Sequence, residues 1–363
     1  MAGEITVGGN ILASHTGVEG AGLLTLGNTV APASPYMFRN KLINGNFDFW
    51  QRGTSQTSNG YGSVDRFYNQ ASYGSAFSVS QQFFTIGQTD VPGNPRSYFR
   101  NTVTSADGGI ALSYQKIENV RTLSGQTVTV SFWAKADSNL DMSTEIYQNF
   151  GSGGTPSSNV YGIGATKHNL TTSWQKFTTT AVVPSISDKT LGTNGNHHLG
   201  LAFWFDSNST YISRTDSLGQ QSGTFDIAQI QLEEGPVATP FEQRPYSLEL
   251  SLCQRYFEKS YEIETSVGST TRLGSIDWNF GSMTSYGTVN IFYKVTKRAT
   301  PTVKNYDPDT DNTIGLRYWN GSAEVQATGS LDGWYGGTSS ARWALGSTSR
   351  SNALFHWTAD AEL

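Results

Sequence analysis

The chain is 363 residues long, more than one average domain, so two domains are expected. Its net charge of -5 supplies no basic footprint, which argues against nucleic acid as a partner. The lone cysteine, Cys253, rules out an intrachain disulfide and leaves packing, association or a metal to stabilise the fold.

Only 15% of the residues are charged, against roughly 25% in ordinary soluble proteins. Low charge with many aromatic, Gly and β-branched residues points to all-β structure with many turns. Met1-Ala-Gly-Glu-Ile5 begins acidic, and no uninterrupted apolar span of about 18 residues occurs. Neither a secretion signal nor membrane insertion is therefore expected, and synthesis in a cytoplasm is. Residues 1–38 are Gly-rich and nearly uncharged, with one apolar patch at Leu23, Leu24 and Leu26. Pro32, Pro35 and scattered Gly interrupt regular elements there, so this segment is predicted to order only against a partner, as a docking arm.

Residues 39–245 carry strand signals at short spacing. Gln126 to Ala134 alternates, with Val128, Val130, Phe132 and Ala134 on one face and Thr127, Thr129, Ser131 and Trp133 on the other. Phe177, Thr179, Ala181 and Val183 repeat the pattern, as do Leu199, Leu201, Phe203 and Phe205. Such alternation between Gly, Asn and Ser clusters reads as antiparallel strands of a sandwich. A helical connector is predicted over 246–262, with Ser247 as N-cap and Leu248, Leu252 and Tyr256 on one stripe. Cys253 and Phe257 widen that stripe, and Cys253 reads as a small buried hydrophobe. Beyond it, Val289, Ile291, Tyr293 and Val295 alternate, and Asn305 to Asp311 forms a turn. Residues 263–363 also hold Trp278, Trp319, Trp334, Trp343 and Trp357, which predicts a second, smaller β-domain with Trp343 and Trp357 in its core.

Catalysis finds little support. The sequence holds no Gly-x-Ser-x-Gly, His-Glu-x-x-His, phosphate loop or paired-Cys framework. His197 and His198 are adjacent, and neighbours on a strand point to opposite faces, so they cannot chelate one metal. The run Asp307-Pro-Asp-Thr-Asp-Asn312 lacks the Gly and Glu of a helix-loop-helix calcium loop and reads as a turn. A glycan-cleaving enzyme needs two carboxylates flanking a sugar bond, a pair that sequence does not pick out.

Aromatic residues carry the stronger signal. Sugars present flat CH faces that stack on Trp and Tyr, while neighbouring polar side chains bond to hydroxyls. Trp133 lies opposite Val130 and Phe132, and Trp204 opposite Leu201 and Phe203, so both are expected to face a surface. Leu331-Asp-Gly-Trp-Tyr-Gly-Gly337 sets Trp334 and Tyr335 beside Asp332 between glycines, a loop suited to recognition. These five residues are the candidate glycan contacts.

Longer blocks add a resemblance. Leu42-Ile-Asn-Gly-Asn-Phe-Asp-Phe-Trp-Gln-Arg-Gly-Thr54 opens a region that Phe225-Asp-Ile-Ala-Gln-Ile-Gln-Leu-Glu-Glu-Gly235 closes. This pairing resembles the two ends of a carbohydrate-binding-module-like jelly roll. With Ser131–Ala136, Ala238–Tyr246, Leu252–Tyr261 and His356–Leu363 in the same order, residues 39–363 resemble a family of bacteriophage and prophage tail fibre proteins. The resemblance implies a non-enzymatic virion protein on the particle exterior that adsorbs to host-surface polysaccharide or lipopolysaccharide. It also implies a homotrimer docked on a phage tail or capsid protein through residues 1–38. A head fibre or capsid decoration is the alternative, and a glycan depolymerase a more distant one. In modules of this kind a structural calcium ties the opening strand to the closing one. Here its oxygen donors would be Asn44 and Asp48 with Asp226, although the family's acidic residue after Asn-Gly-x-Phe is displaced in this chain. The fold expected is all-β: an antiparallel jelly-roll β-sandwich, a short helical connector and a second smaller β-domain.

Overall fold

The computed structural model describes residues 3–7, 10–15, 24–26, 29–31, 38–279, 287–311, 314–320, 322–328, 334–345 and 352–363. The chain divides into two compact units, Met1–Arg39 and Asn40–Leu363. The first carries β1 (Gly3–Val7), β2 (Asn10–His15), β3 (Leu24–Leu26) and β4 (Thr29–Ala31), paired antiparallel in sequence order. This corrects the expectation that regular elements are interrupted there. Pro32 and Pro35 lie outside the described residues.

In the second unit come β5 (Ser55–Gln56), β6 (Phe67–Ser72), β7 (Ala76–Phe83), β8 (Ser97–Ser105), β9 (Ile110–Ile117) and β10 (Thr127–Ala136). Next are β11 (Leu140–Asn149), β12 (Val160–Leu170), β13 (Gln175–Val182), β14 (His198–Asp206), a short helix α1 (Ile212–Thr215) and β15 (Gly223–Glu234). They form a six-stranded sheet, β13-β10-β15-β8-β7-β5, and a five-stranded sheet, β12-β11-β14-β9-β6. Every pair is antiparallel, and apart from the β7–β8 and β11–β12 hairpins successive strands switch between sheets, as in a jelly roll. Val128, Val130, Phe132 and Ala134 of β10 meet Leu199, Leu201, Phe203 and Phe205 of β14 in the core between the sheets, on the faces that alternation predicts. Both faces of β14 are covered, which is why it reads as one apolar run.

The strand expected over Asn44 to Phe47 is instead a turn, with φ of 61° at Asn44 and 57° at Phe47. Leu42, Phe47 and Trp50 drop from it into the core. The segment still grips the closing strand: Lys41 N donates to Leu232 O and Ile230 N to Gly45 O, both at 2.8 Å. The Asn40 amide clasps the same strand, donating to Ile230 O and accepting from Leu232 N. A Cβ at Gly45 would lie 2.3 Å from Ile230 O, so only glycine permits this approach.

The connector helix α2 (Tyr246–Gln254) starts one residue before the predicted cap. Pro245 O accepts from Leu248 N and Glu249 N, and Ser247 lies inside the helix. Tyr256 and Phe257 fall past its end, where β16 (Phe257–Lys259) begins. Cys253 is 1% exposed, and burial pushes its thiol well above the ordinary range, so it is an inert hydrophobe.

The remaining strands are β17 (Ile276–Asn279), β18 (Gly287–Phe292), β19 (Thr302–Tyr306), β20 (Gly315–Trp319), β21 (Glu324–Thr328), β22 (Trp334–Gly336), β23 (Ser340–Leu345) and β24 (Asn352–Asp360). β24 is the hub, pairing with β16 and β19 along its C-terminal half and with β17 and β20 along its N-terminal half. β18, β23 and β22 make a separate three-stranded sheet. Val289, Ile291, Trp343, Phe355 and Trp357 fill the core here, with both tryptophans where the sequence puts them. After β19 the Asp307 run is a turn: Asp307 Oδ1 accepts from Asp309 N at 2.8 Å and from Arg317 Nε at 3.1 Å.

Ion pairs join these sheets to the sandwich. Glu362 meets both Arg66 and Arg52, and Arg52 also meets Asp360 at 3.1 Å. The Arg66 guanidinium lies 3.3 Å from the Tyr256 ring centroid, and that of Arg52 lies 3.8 Å from Phe257. Lys297 and Glu258 form a fully buried pair at 2.5 Å.

Candidate functional site

Aromatic side chains converge on the outer face of the five-stranded sheet. Strand β9 turns Ala111 and Ile117 into the main core and Ile110, Leu112, Tyr114 and Lys116 outward. Ladder register then builds rows across the strands. Tyr68, Tyr114, Ala202 and Glu145 form one row, and Lys116, Gly200 and Tyr147 the next. Gln70, Leu112, Trp204 and Ser143 form a third. Because β14 contributes only Gly200 and Ala202 to the middle of the first two rows, the Tyr147 ring settles over Gly200 and the sheet stays hollow over Ala202. The result is a groove of about 290 Å³.

Tyrosines line its length. Tyr68 stacks on Tyr114 at 5.0 Å and 17°, Tyr114 meets Tyr147 edge-on at 6.4 Å, and Tyr147 lies 5.9 Å from Tyr161. A Cβ at Gly200 would sit 2.1 Å from Tyr147 Cζ, so the ring occupies the space of the missing side chain. Gly200→Ala is expected to cost about 1–3 kcal/mol by overpacking. In a Tyr147→Ala background the same change should be nearly neutral, a coupling that a double-mutant cycle in urea reads directly.

One wall comes from the turn at Ser209–Tyr211 and from α1. The Tyr211 ring lies 5.2 Å from Trp204, and the Arg214 guanidinium lies 4.1 Å from Tyr161 and 5.0 Å from Trp204. Beneath it Glu145, 1% exposed, accepts from Arg214 Nε at 2.9 Å, Trp204 Nε1 at 3.1 Å and Gly162 N at 2.8 Å. The buried carboxylate thus orients the guanidinium, whose planar fork suits such a pairing.

Burial holds the Tyr114 and Tyr147 phenols above their ordinary range, so both stay neutral donors. Burial lowers His198 to about 4, and its Nδ1 lies 2.9 Å from Asn196 O. A neutral ring donating there leaves Nε2 as an acceptor. Lys116 is lowered to about 8 by burial and by the nearby Arg66 and Arg298, and it remains mostly protonated at pH 7. Flat rings, hydroxyls, the amides of Gln70 and Asn149 and two cations can together stack on and hydrogen-bond a sugar chain.

The predicted contacts are scattered. Trp204 lies on this face, as alternation requires, but it is 1% exposed because Tyr211, Arg214 and Leu218 cover it. That corrects its expected surface position. Trp133 is half-buried on the outer face of the other sheet, in a separate groove of about 480 Å³ with Lys176, Gln229, Pro240 and Phe241. Trp334 and Tyr335 begin β22, paired with Trp343 and Arg342, where a loop is expected. Their side chains, and Asp332 altogether, lie outside the described residues.

The three proposed calcium donors each serve another partner. The Asn44 amide bonds Phe49 N, Phe49 O and Asp65 O. Asp48 accepts from Asn46 Nδ2 at 2.9 Å. Asp226 is held by Arg100 at 2.7 Å and Lys135 at 3.8 Å. Among the described residues no group of three or more His, Cys, Asp or Glu is arranged to hold a metal ion.

Sequence reasoning missed Tyr68, Tyr114, Tyr147, Tyr161, Tyr211, Arg214 and Lys116. A signal was present at β9, where Ile110, Leu112, Tyr114 and Lys116 alternate with Ala111, Ser113 and Gln115.

No family model matches the chain, and no curated protein matches it. Among solved structures it is similar to the enzymatically active domain of bacteriophage CBA120 tailspike protein 4, at 13% identity and a TM-score of 0.31. That match covers 54% of this chain and 22% of the tailspike chain. A family 11 carbohydrate-binding module of the cellulosomal cellulase Lic26A-Cel5E of Clostridium thermocellum matches at 12% identity and a TM-score of 0.31. It covers 52% of this chain and 99% of its own. TmCBM61 in complex with β-1,4-galactotriose matches at 10% identity and a TM-score of 0.29, covering 54% and 99%.

Proposed function

We propose that this chain is a non-catalytic glycan-binding protein of a bacteriophage particle, a tail fibre that holds host-surface polysaccharide or lipopolysaccharide in the groove of the five-stranded sheet. The observation that carries the reading is the tyrosine-lined trough over Ala202. Support for a phage particle comes from the ordered sequence blocks of residues 39–363. The carboxylate beneath the groove, Glu145, is saturated by donors, which suits positioning and not proton transfer. A homotrimer is the assembly that the resemblance of residues 39–363 implies. Several copies per particle would turn weak single-site contacts into avidity. Residues 1–38 would dock on the tail, and on a head fibre they would dock on the capsid. Labelling them on virions separates the two.

Tyr114→Ala is expected to reduce glycan binding about fivefold or more, since stacking on one ring is worth about 1 kcal/mol or more and is coupled here to Tyr68. Glycan-array binding by the purified chain checks this, with release of new reducing ends followed in parallel. Intact binding by the Tyr114→Ala protein, or sugar cleavage by the unmodified one, would sink the reading. The same assay on Trp334→Ala and Tyr335→Ala tests β22 independently; loss there alone would move the site.

A further inference from the structure

The glycan reading of the groove leaves the kind of sugar open, and the charges on its wall narrow it. Among the described residues lining the groove there are two cations, Lys116 and Arg214, and no Asp or Glu. They stand at different places along the trough. Lys116 shares a row with Gly200 and Tyr147, while Arg214 stands over Tyr161 and Trp204 on the far side. From β9 to β11 is two strand spacings, about 10 Å, so the cations bracket the tyrosine floor. Glu145 balances the charge of Arg214, yet both side chains keep N–H donors beyond their protein contacts. Glu145 takes Nε and Nη2 of Arg214, leaving Nη1 without a partner among the described residues. Lys116 Nζ donates to Leu363 O at 2.5 Å, which uses one of its three N–H bonds. Tyr68 and Tyr114 rings flank the ammonium at 5.8 and 5.9 Å.

We infer that the groove selects an acidic saccharide, a chain whose carboxylate or phosphate groups meet Lys116 and Arg214 while its ring faces stack on the tyrosines. This rests on the glycan reading above. The chain as a whole is at -5, so its overall field repels a polyanion and the selection must come from these local charges. A neutral sugar would leave to water the spare N–H donors of Lys116 and of an Arg214 guanidinium whose charge Glu145 already balances. An anionic one replaces that water with charge-assisted hydrogen bonds, which are roughly twice as strong as neutral ones.

The test is an array of matched glycans: polygalacturonate, its carboxyl-reduced polymer, and phosphorylated and dephosphorylated lipopolysaccharide cores. The probe is the full chain at low and at high salt. Acidic members should bind at least tenfold tighter than their neutral counterparts, and the preference should shrink as salt screens it. The carboxylate and phosphate arms tell which anion is read. Lys116→Met should lower acidic-glycan affinity about tenfold and flatten the salt dependence. Arg214→Lys keeps a cation over Glu145 and should also weaken the acidic ligands, because the fork geometry is lost. Equal binding of neutral and acidic partners, or salt-independent binding, overturns the charge inference and leaves the groove reading standing. Binding to no glycan at all overturns both.

Discussion

Glu362→Ala is expected to destabilise the second unit by about 3–5 kcal/mol, the cost of breaking a buried ion pair from one side. The carboxylate is 5% exposed and lies between Arg66 at 1% and Arg52 at 7%. Without it Arg66 has no ion-pair partner among the described residues, while Arg52 keeps the buried Asp65 at 3.9 Å. Arg66 is fixed there by Tyr256 and by a 2.7 Å bond to Lys116 O, so it cannot swing out to water. Asp360 can help Arg52 only in part, because its side chain is 40% exposed. Asp360→Ala should therefore cost under about 1 kcal/mol, as exposed pairs do. Urea unfolding of the two variants checks the contrast. Equal small losses would mean that water already serves these arginines and that the junction is not closed by charge.

Acid should weaken the fold through two histidines. Burial lowers both His168 and His198 to about 4, from an ordinary 6.5. His168 packs edge-on against Phe132 at 5.2 Å, with Nε2 3.0 Å from Thr144 Oγ1, and the charge of Asp216 offsets its burial only in part. Between pH 6.5 and about 4 the unfolded chain binds protons that the folded chain refuses. Stability then falls as pH falls, by on the order of 3 kcal/mol per histidine at pH 4. Asp65 and Asp206, raised by burial, act in the opposite sense, since protonating them relieves a folded-state cost. NMR titration of the two imidazoles separates the contributions, and unfolding free energies from pH 7 to pH 4 measure the sum. A His168 ring that titrates near 6.5 would remove its share. His168→Gln should flatten the acid limb by about half.

The sandwich was legible because its central strands obey simple alternation: Val128 to Ala134 and Leu199 to Phe205 both turn the predicted faces inward. The opening segment was legible as a contact with the closing strand but not as a conformation. The positive-φ turn at Asn44 to Phe47 is held by the Asn44 bond to Asp65 O and by the bonds of Asn40 and Gly45 to Ile230, distant contacts that no local pattern encodes. The site was harder still. Alternation assigned Trp204 to the correct face, yet exposure depends on what lies above a face. Here that is Tyr211 and Arg214, from a loop with no periodic signal. The groove itself comes from register between strands far apart in the chain, which sets Gly200 beneath a ring from residue 147.

The hub role of β24 has a bearing on assembly order. Its partners β16, β17, β19 and β20 all precede it in the chain, so none can complete its pairing before residues 352–360 have been synthesised. Until then four strands present open edges, the kind of template on which aggregation starts. The jelly roll closes among residues 40–235 and is free of that wait. The C-terminal sheets are therefore the last to mature, and the nascent chain is exposed to mispairing with its neighbours while that step is pending.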